Sequence, residues 1–413
     1  MAKSNRQTTQ LHHHGFSGAN QDDMQQMNRV LVLSLLRKSS ITTRAELAKS
    51  TGLKRATITN IISDFIQSGI VKETGFIEGE KGRRSIGISL NGEQNKIIAI
   101  RLARIYFSIA LFDITGEKYT RKQVPINFIE GADHALRLMK HEIKDLLDSN
   151  DHIMAIGIAL PGPYLKNENK IGQISDFPGW EGVDIIDELQ NQFQIPTYAE
   201  HDGNAATLAH WWLGDYGATE HSVLMSVLAG QGTGIGLIEN GRLFQGGHGC
   251  SGELGHTTIA YDGPQCACGN RGCLDLYCSS IILMRNIKEA LAEYPTSILH
   301  NVPLTHEMVS IALSQGDELA LVEFKKMARL LAFGLVNAIN MYDPDIIVLD
   351  DELAIMGKDV LLETVTASIK QRILPNVYEN LQIFLGTLDD SILLGAMSVA
   401  TDKLFNNLDF LPS

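Results

Sequence analysis

The 413-residue chain is poor in cysteine, with five, and in tryptophan, with three. Five cysteines cannot staple a chain this long, which excludes a disulfide scaffold. No apolar run approaches the roughly 20 residues of a membrane-spanning helix, so membrane insertion is not expected. The first twenty residues lack the apolar core of a secretory leader, and the expected location is cytoplasmic. Basic residues are also in deficit, 35 Lys and Arg against 48 Asp and Glu. That excludes a polyanion-binding surface spread over the whole molecule. His12–His14 are too few to separate a tag remnant from a native sequence.

The basic residues are concentrated at the front. Residues 1–90 carry 13 Lys and Arg against 7 Asp and Glu, and the remainder carries 22 against 41. A basic head on an acidic body points to a head that meets nucleic acid. Residues 1–27 read as a flexible arm. Residues 27–38 form an apolar run without a breaker and predict a buried helix. Thr43-Arg-Ala-Glu46 is a capping box that opens a second helix. Gly52 supplies the left-handed residue of a sharp helix-helix turn. A third helix begins near Arg55, with Ile58, Ile61, Ile62, Phe65 and Ile66 on one face.

The opposite face of this third helix is small and polar, as a groove-reading helix requires. It offers Thr57, Thr59, Asn60 and Ser63, with Lys54 and Arg55 placed for phosphates. Two short strands follow, joined by the tip Lys81-Gly-Arg-Arg84. A Gly-Arg-Arg tip alone reads as a solvated turn. Directly after a helix-turn-helix, Arg83 and Arg84 read as minor-groove contacts of a wing. Residues 28–90 are therefore read as a winged helix-turn-helix.

From residue 91 strands alternate with helices, predicting an α/β body over 91–413. Within it stands Cys266-Ala-Cys268-Gly-Asn-Arg-Gly-Cys273, ten residues after His256. One imidazole and three thiolates on a glycine-rich loop, residues 256–273, make a closed donor set of the structural zinc type, one Zn2+ per chain. Cys250 and Cys278 fall outside it and read as buried thiols.

Gly252-Glu253-Leu-Gly-His256, followed by the cysteine run, resembles the ROK family of repressors and sugar kinases. With the head in front, the chain looks like the repressor branch that includes the N-acetylglucosamine repressor. The resemblance implies two ribonuclease-H-like lobes of the actin and hexokinase type, with a sugar or sugar phosphate in the cleft. It implies Glu253 and His256 on ring hydroxyls, with His256 also on the zinc. Asp202 matches the family's general base, and Asp202 also reads as a helix N-cap. Gly162 matches a Pro-Gly-Pro ligand loop. Asp176 and Asp275 stand where the family usually carries asparagine and glutamate, so sugar preference is expected to differ.

Kinases of this family open with Asp-x-Gly-x-Thr, whose glycines let backbone amides wrap phosphate. The chain has Arg101-Leu-Ala-Arg-Ile105 instead. A late Gly-Gly pair is replaced by Asp350-Asp351-Glu352, while the stretch from Gly232 to Gly236 survives as a phosphate element. ATP binding and catalysis are therefore not expected, and Asp202 is a vestigial base. The expected function is a DNA-binding repressor of carbohydrate genes, acting as a homodimer or dimer of dimers on an operator. Two alternatives stay open: a ROK kinase with residual activity, and a repressor captured by a phosphotransferase-system protein.

Overall fold

The computed structural model describes residues 21–78, 84–162, 164–172, 179–408 and 410–411. Arg83, Asp176 and His12–His14 lie outside the described residues.

The chain begins with α1 (Gln21–Lys38), β1 (Thr42–Thr43), α2 (Arg44–Thr51), α3 (Arg55–Gln67), β2 (Val71–Glu78) and β3 (Arg84–Leu90). One expectation is corrected here: residues 21–27, read as part of a flexible arm, are the first two turns of α1. Asp22 and Asp23 lie in its first turn, where they complement the helix dipole. The capping box forms as read. Thr43 Oγ1 accepts from Glu46 N at 3.2 Å, and Thr43 N donates to Glu46 Oε2 at 2.8 Å. Gly52 takes φ 70°, turning the chain between α2 and α3. The strands make a small antiparallel sheet in the order β1-β3-β2. Ile58, Ile62 and Phe65 of α3 are fully buried against it and α1.

The first lobe comprises β4 (Lys96–Leu102), β5 (Tyr106–Asp113), β6 (Lys118–Pro125), α4 (Gly131–Ser149), β7 (Ile153–Leu160), the ribbon β8 (Tyr164–Leu165) and β9 (Lys170–Ile171), α5 (Ile185–Phe193), β10 (Thr197–His201) and α6 (Asp202–Leu213). The second comprises β11 (Leu224–Ala229), β12 (Thr233–Glu239), β13 (Arg242–Leu243), α7 (Asp275–Cys278), α8 (Ser280–Ala290), α9 (His306–Ser314), α10 (Glu318–Tyr342), β14 (Ile346–Asp350), α11 (Glu352–Lys370), α12 (Pro375–Asn380) and β15 (Gln382–Leu385). The last helix, α13 (Ser391–Asn407), returns to pack on α6, β4 and β7 of the first lobe.

The two large sheets share one topology. Their orders are β6-β5-β4-β7-β10 and β13-β12-β11-β14-β15, each with three antiparallel strands followed by two parallel ones. This repeat is the two-lobed, ribonuclease-H-like body expected from the sequence. The stretch from Gly232 to Gly236, read as a surviving phosphate element, turns into strand β12 at Thr233. Gly236 is required there because a Cβ would collide with the Thr207 hydroxyl and the Gly203 carbonyl of α6.

The head is fastened to the body at two places. Asn91 and Asn95 are buried in the joint, and both side-chain amides donate to Gly69 O, at 3.0 and 2.9 Å. A single apolar cluster then runs from Ile62 and Phe65 through Ile97 and Phe112 to α6 and α13. At the end of α1, Arg37 lies over the Trp212 ring at 4.4 Å, and Lys38 over Trp211 at 4.4 Å.

Candidate functional site

The cleft between the lobes is built from the ends of strands, where side chains leave the sheets and face each other. Gly162 follows β7, His201 and Asp202 stand at the junction of β10 with α6, and Glu253 and His256 lie on the loop after β13. Asp275 opens α7. These residues line one cavity together with Arg101 and Arg104 of the β4–β5 hairpin, Asp351 before α11 and Glu352 at its start. Five ligand candidates from the sequence, Gly162, Asp202, Glu253, His256 and Asp275, are thus brought together. The sixth, Asp176, lies outside the described residues.

Asp202 departs from the capping role. It is the first helical residue of α6, its carboxylate accepts from Gly203 N at 2.7 Å, and the cap position belongs to His201. Its other contact is the residue the sequence reading missed. His201 Nε2 lies 3.1 Å from Asp202 Oδ1 and 3.8 Å from Glu253 Oε1, with the ring 8% exposed. A Cβ on Gly162 would collide with this ring, so the glycine makes room for an imidazole between two carboxylates. A lone histidine in Glu-His-Asp carries no spacing signal; only the approach of the loop at Gly162 and the Glu253 loop gives it a role.

The carboxylates differ in their support. Asp275 Oδ1 accepts from Thr233 N at 2.8 Å, and burial pushes its carboxyl up against the opposing charge of His256. Gly255 is obligatory beside it, since a Cβ would strike the Asp275 carboxylate. Glu200, buried behind the cleft, accepts from Lys166 Nζ at 2.6 Å, Gln245 Nε2 at 2.7 Å and Asn204 Nδ2 at 3.1 Å. Those contacts tie α6 to the loops that carry the ligand candidates. Carboxylates accept and do not donate, so the cleft favours ligands rich in hydroxyl donors.

Arg101 lies near the end of β4, on the wall of the cleft. Its guanidinium is 3.1 Å from Asp390 Oδ1 and 3.6 Å from Asp351 Oδ1. Burial pushes the Asp351 carboxyl up to about 7, outweighing the pull of Arg101.

Next to the cleft, ligand atoms of His256, Cys266, Cys268 and Cys273 all lie within 4.8 Å of one another. His256 Nδ1 is 3.8 Å from Cys266 Sγ, and Cys268 Sγ is 3.6 Å from Cys273 Sγ. Tetrahedral zinc, with bonds of about 2.3 Å to sulfur and 2.0–2.1 Å to nitrogen, spaces its donors about 3.5–3.8 Å apart. The residues therefore fit a four-coordinate ion. Asn270 Nδ2 braces the set through His256 O at 3.1 Å and Cys273 Sγ at 3.5 Å. With Nδ1 committed to the donor set, Nε2 of His256 is the nitrogen left for the cleft. Cys278 is buried as expected, but Cys250 is only half-buried, its thiol against Tyr164 O at 3.5 Å.

On the head, Lys54, Arg55, Thr59, Asn60 and Ser63 are exposed on one side of α3 and Thr57 is half-buried. Arg84 is exposed at the start of β3. The Thr59 and Ser63 hydroxyls donate to carbonyls one turn back, at 2.9 and 2.8 Å, which keeps them low on the surface. Among the described residues Lys54 and Arg55 form no ion pair, so both charges stay available to a polyanion.

Comparison with known proteins extends this picture. The model of the ROK family matches residues 97–403. A xylose repressor of Caldicellulosiruptor bescii is 26% identical over 392 residues, covering 93% of this chain and 97% of its own. The DNA-binding transcriptional dual regulator NagC of Escherichia coli is 27% identical over 395 residues, covering 94% and 96%. Among solved structures, a ROK family transcriptional regulator described as a homolog of the E. coli MLC protein superposes with a TM-score of 0.78. It is 26% identical and covers 93% of this chain and 98% of its own. A ROK hexokinase from Thermus thermophilus shares the fold, with a TM-score of 0.60 at 24% identity over 74% of this chain and 97% of its own. A family match across three quarters of the sequence, on two lobes of shared topology, leads to one conclusion: this chain belongs to the ROK family.

Proposed function

We propose that the protein is a sugar-responsive transcription repressor and not a kinase. The observation that carries this reading is the continuity of one chain from an exposed, unpaired α3 face to a hydroxyl-accepting cleft. It is supported by relatives named as a xylose repressor and a DNA-binding transcriptional dual regulator, which match over head and body alike. The head would place α3 in the major groove, with Lys54 and Arg55 on phosphates and Asn60 on base edges. Arg83 and Arg84 would flank the minor groove. A homodimer would set two such heads on a palindromic operator.

The coupling between cleft and head runs along two helices. α6 starts at Asp202 in the cleft and ends beneath α1 at Trp211 and Trp212. α13 starts beside Asp390, the partner of Arg101, and reaches Asp402, 3.8 Å from Arg37. A ligand that closes the lobes shifts these helices together and so re-aims the heads. Glu253, His256, Asp202 and Gly162 would hold the sugar, and His256, Cys266, Cys268 and Cys273 would hold a structural Zn2+. The ion would fix the loop that carries His256, coupling its folding to the geometry of the cleft.

The test is fluorescence anisotropy of the full chain on DNA fragments selected for binding, with and without monosaccharides. Specific binding to a palindromic site, released by a sugar, is expected. A protein that selects no sequence refutes the reading. Magnesium-dependent ATP turnover on a sugar, lost in Asp202→Asn, would instead establish a kinase.

A further inference from the structure

We propose that Asp351 is a specificity-determining residue. It holds Arg101 as an internal counter-ion, so the cleft accepts an uncharged sugar and rejects its phosphate ester. This rests on the sugar-responsive reading above and narrows its ligand.

Asp351 is the junction between β14 and α11, and its backbone sits at φ 72°, ψ −161°. That region is essentially reserved for glycine, so a side chain there is strained. The chain nevertheless carries a carboxylate at the position. Its surroundings are shaped to receive it: Gly230 faces it, and a Cβ on that glycine would collide with the Asp351 carboxylate. The carboxylate reaches across the cleft to Arg101 on β4, 3.6 Å away, while Asp390 holds the same guanidinium at 3.1 Å. Asp390 is itself paired with Arg121 at 2.7 Å. Two acids from different elements thus satisfy the guanidinium, which is 20% exposed.

The consequence for ligands follows from charge. The remaining walls carry Asp202, Glu253, Asp275 and Glu352, against Arg104 as the cation without a carboxylate partner among the described residues. A dianionic phosphate entering this space meets carboxylates and finds the better-placed arginine already engaged. A neutral sugar gives hydroxyls to the same carboxylates and pays no such penalty. Asp351 thereby turns a cleft with two arginines into one that reads hydroxyls.

The test is calorimetric titration of the full-length protein with matched pairs: D-xylose and its 5-phosphate, D-glucose and N-acetyl-D-glucosamine and their 6-phosphates. Wild type should bind one free sugar at least tenfold tighter than its ester. Asp351→Gly, which suits the backbone and should fold, should raise the affinity for the ester relative to the free sugar at least tenfold. Adding Arg101→Gln to Asp351→Gly should abolish that gain, showing that the released guanidinium is what binds the ester. An ester bound as tightly as the free sugar by wild type, or an Asp351→Gly variant with unchanged selectivity, overturns the role of Asp351 and leaves the sugar-responsive reading in place. Wild type that selects DNA but binds no member of either series removes that reading and this one with it.

Discussion

Trp212→Ala tests whether the seat of α1 transmits the state of the cleft. The indole lies 4.4 Å beneath the Arg37 guanidinium, whose side chain is 3% exposed. The remaining partners of that cation are Ser398 O at 3.3 Å and Asp402 Oδ1 at 3.8 Å. Burial pulls Arg37 down to about 10 against the opposing pull of Asp402, and the ring covers the same desolvated charge. A cation–π contact at a desolvated site is worth about 2 kcal/mol. Loss of the half-buried indole face removes roughly 1–2 kcal/mol more of apolar burial. Trp212 Nε1 has no hydrogen-bond partner, so truncation orphans no acceptor. The sum, about 3–4 kcal/mol, matches or exceeds the 1–3 kcal/mol typical of coupling between sites. The α3 face is untouched. Operator affinity without sugar should change less than the sugar-induced loss of affinity, which should fall below threefold. Anisotropy titrations with and without sugar measure both, and calorimetry should show the head melting separately from the body. A folded variant that keeps its full sugar response refutes the idea that this contact carries the signal.

Three further outcomes are expected. Cys268→Ser should reduce zinc from about one per chain to near zero by elemental analysis and lower the melting temperature, because ligand-loop folding depends on the ion. Asn60→Ala should cost about 1–3 kcal/mol at the cognate operator and relax base preference in a selection assay, whereas Arg84→Ala should weaken all sequences alike and reduce the salt dependence. The pH dependence of Asp351→Gly has a defined sign. Asp351 titrates at about 7 when folded, against roughly 3.9 when unfolded, so the unfolded chain loses this proton first. Its contribution to stability therefore declines as pH rises from about 4 to 7. The melting temperature of Asp351→Gly relative to wild type should climb across that window and level off above it; a constant or falling difference contradicts the assignment.

Much of the site was legible in the chain because its residues are close in sequence. His256 and the three cysteines span eighteen positions, and the loop closes over a few turns whose glycines and Asn270 are local. The capping box and Gly52 were readable for the same reason, since a cap satisfies amides within one turn. The start of α1 was misplaced because polar residues 21–27 show no apolar period, although their acids favour a helix terminus. His201 and Asp351 were hidden for a different reason. Each acquires its role from residues far away in sequence: His201 from Glu253 and Gly162, and Asp351 from Arg101 and Gly230.

By itself the sequence determined the element types, the candidate metal-donor set and the polar face of α3. All of these depend on periodicity or on spacing within a few residues. Only the tertiary structure decided that Arg101 and Asp351 face each other across the cleft. Only it decided that α6 and α13 both run from that cleft to the cations at the end of α1. The reason is physical: a buried charge is tolerable only beside its partner, and which partner lies near is set by the packing of the two lobes.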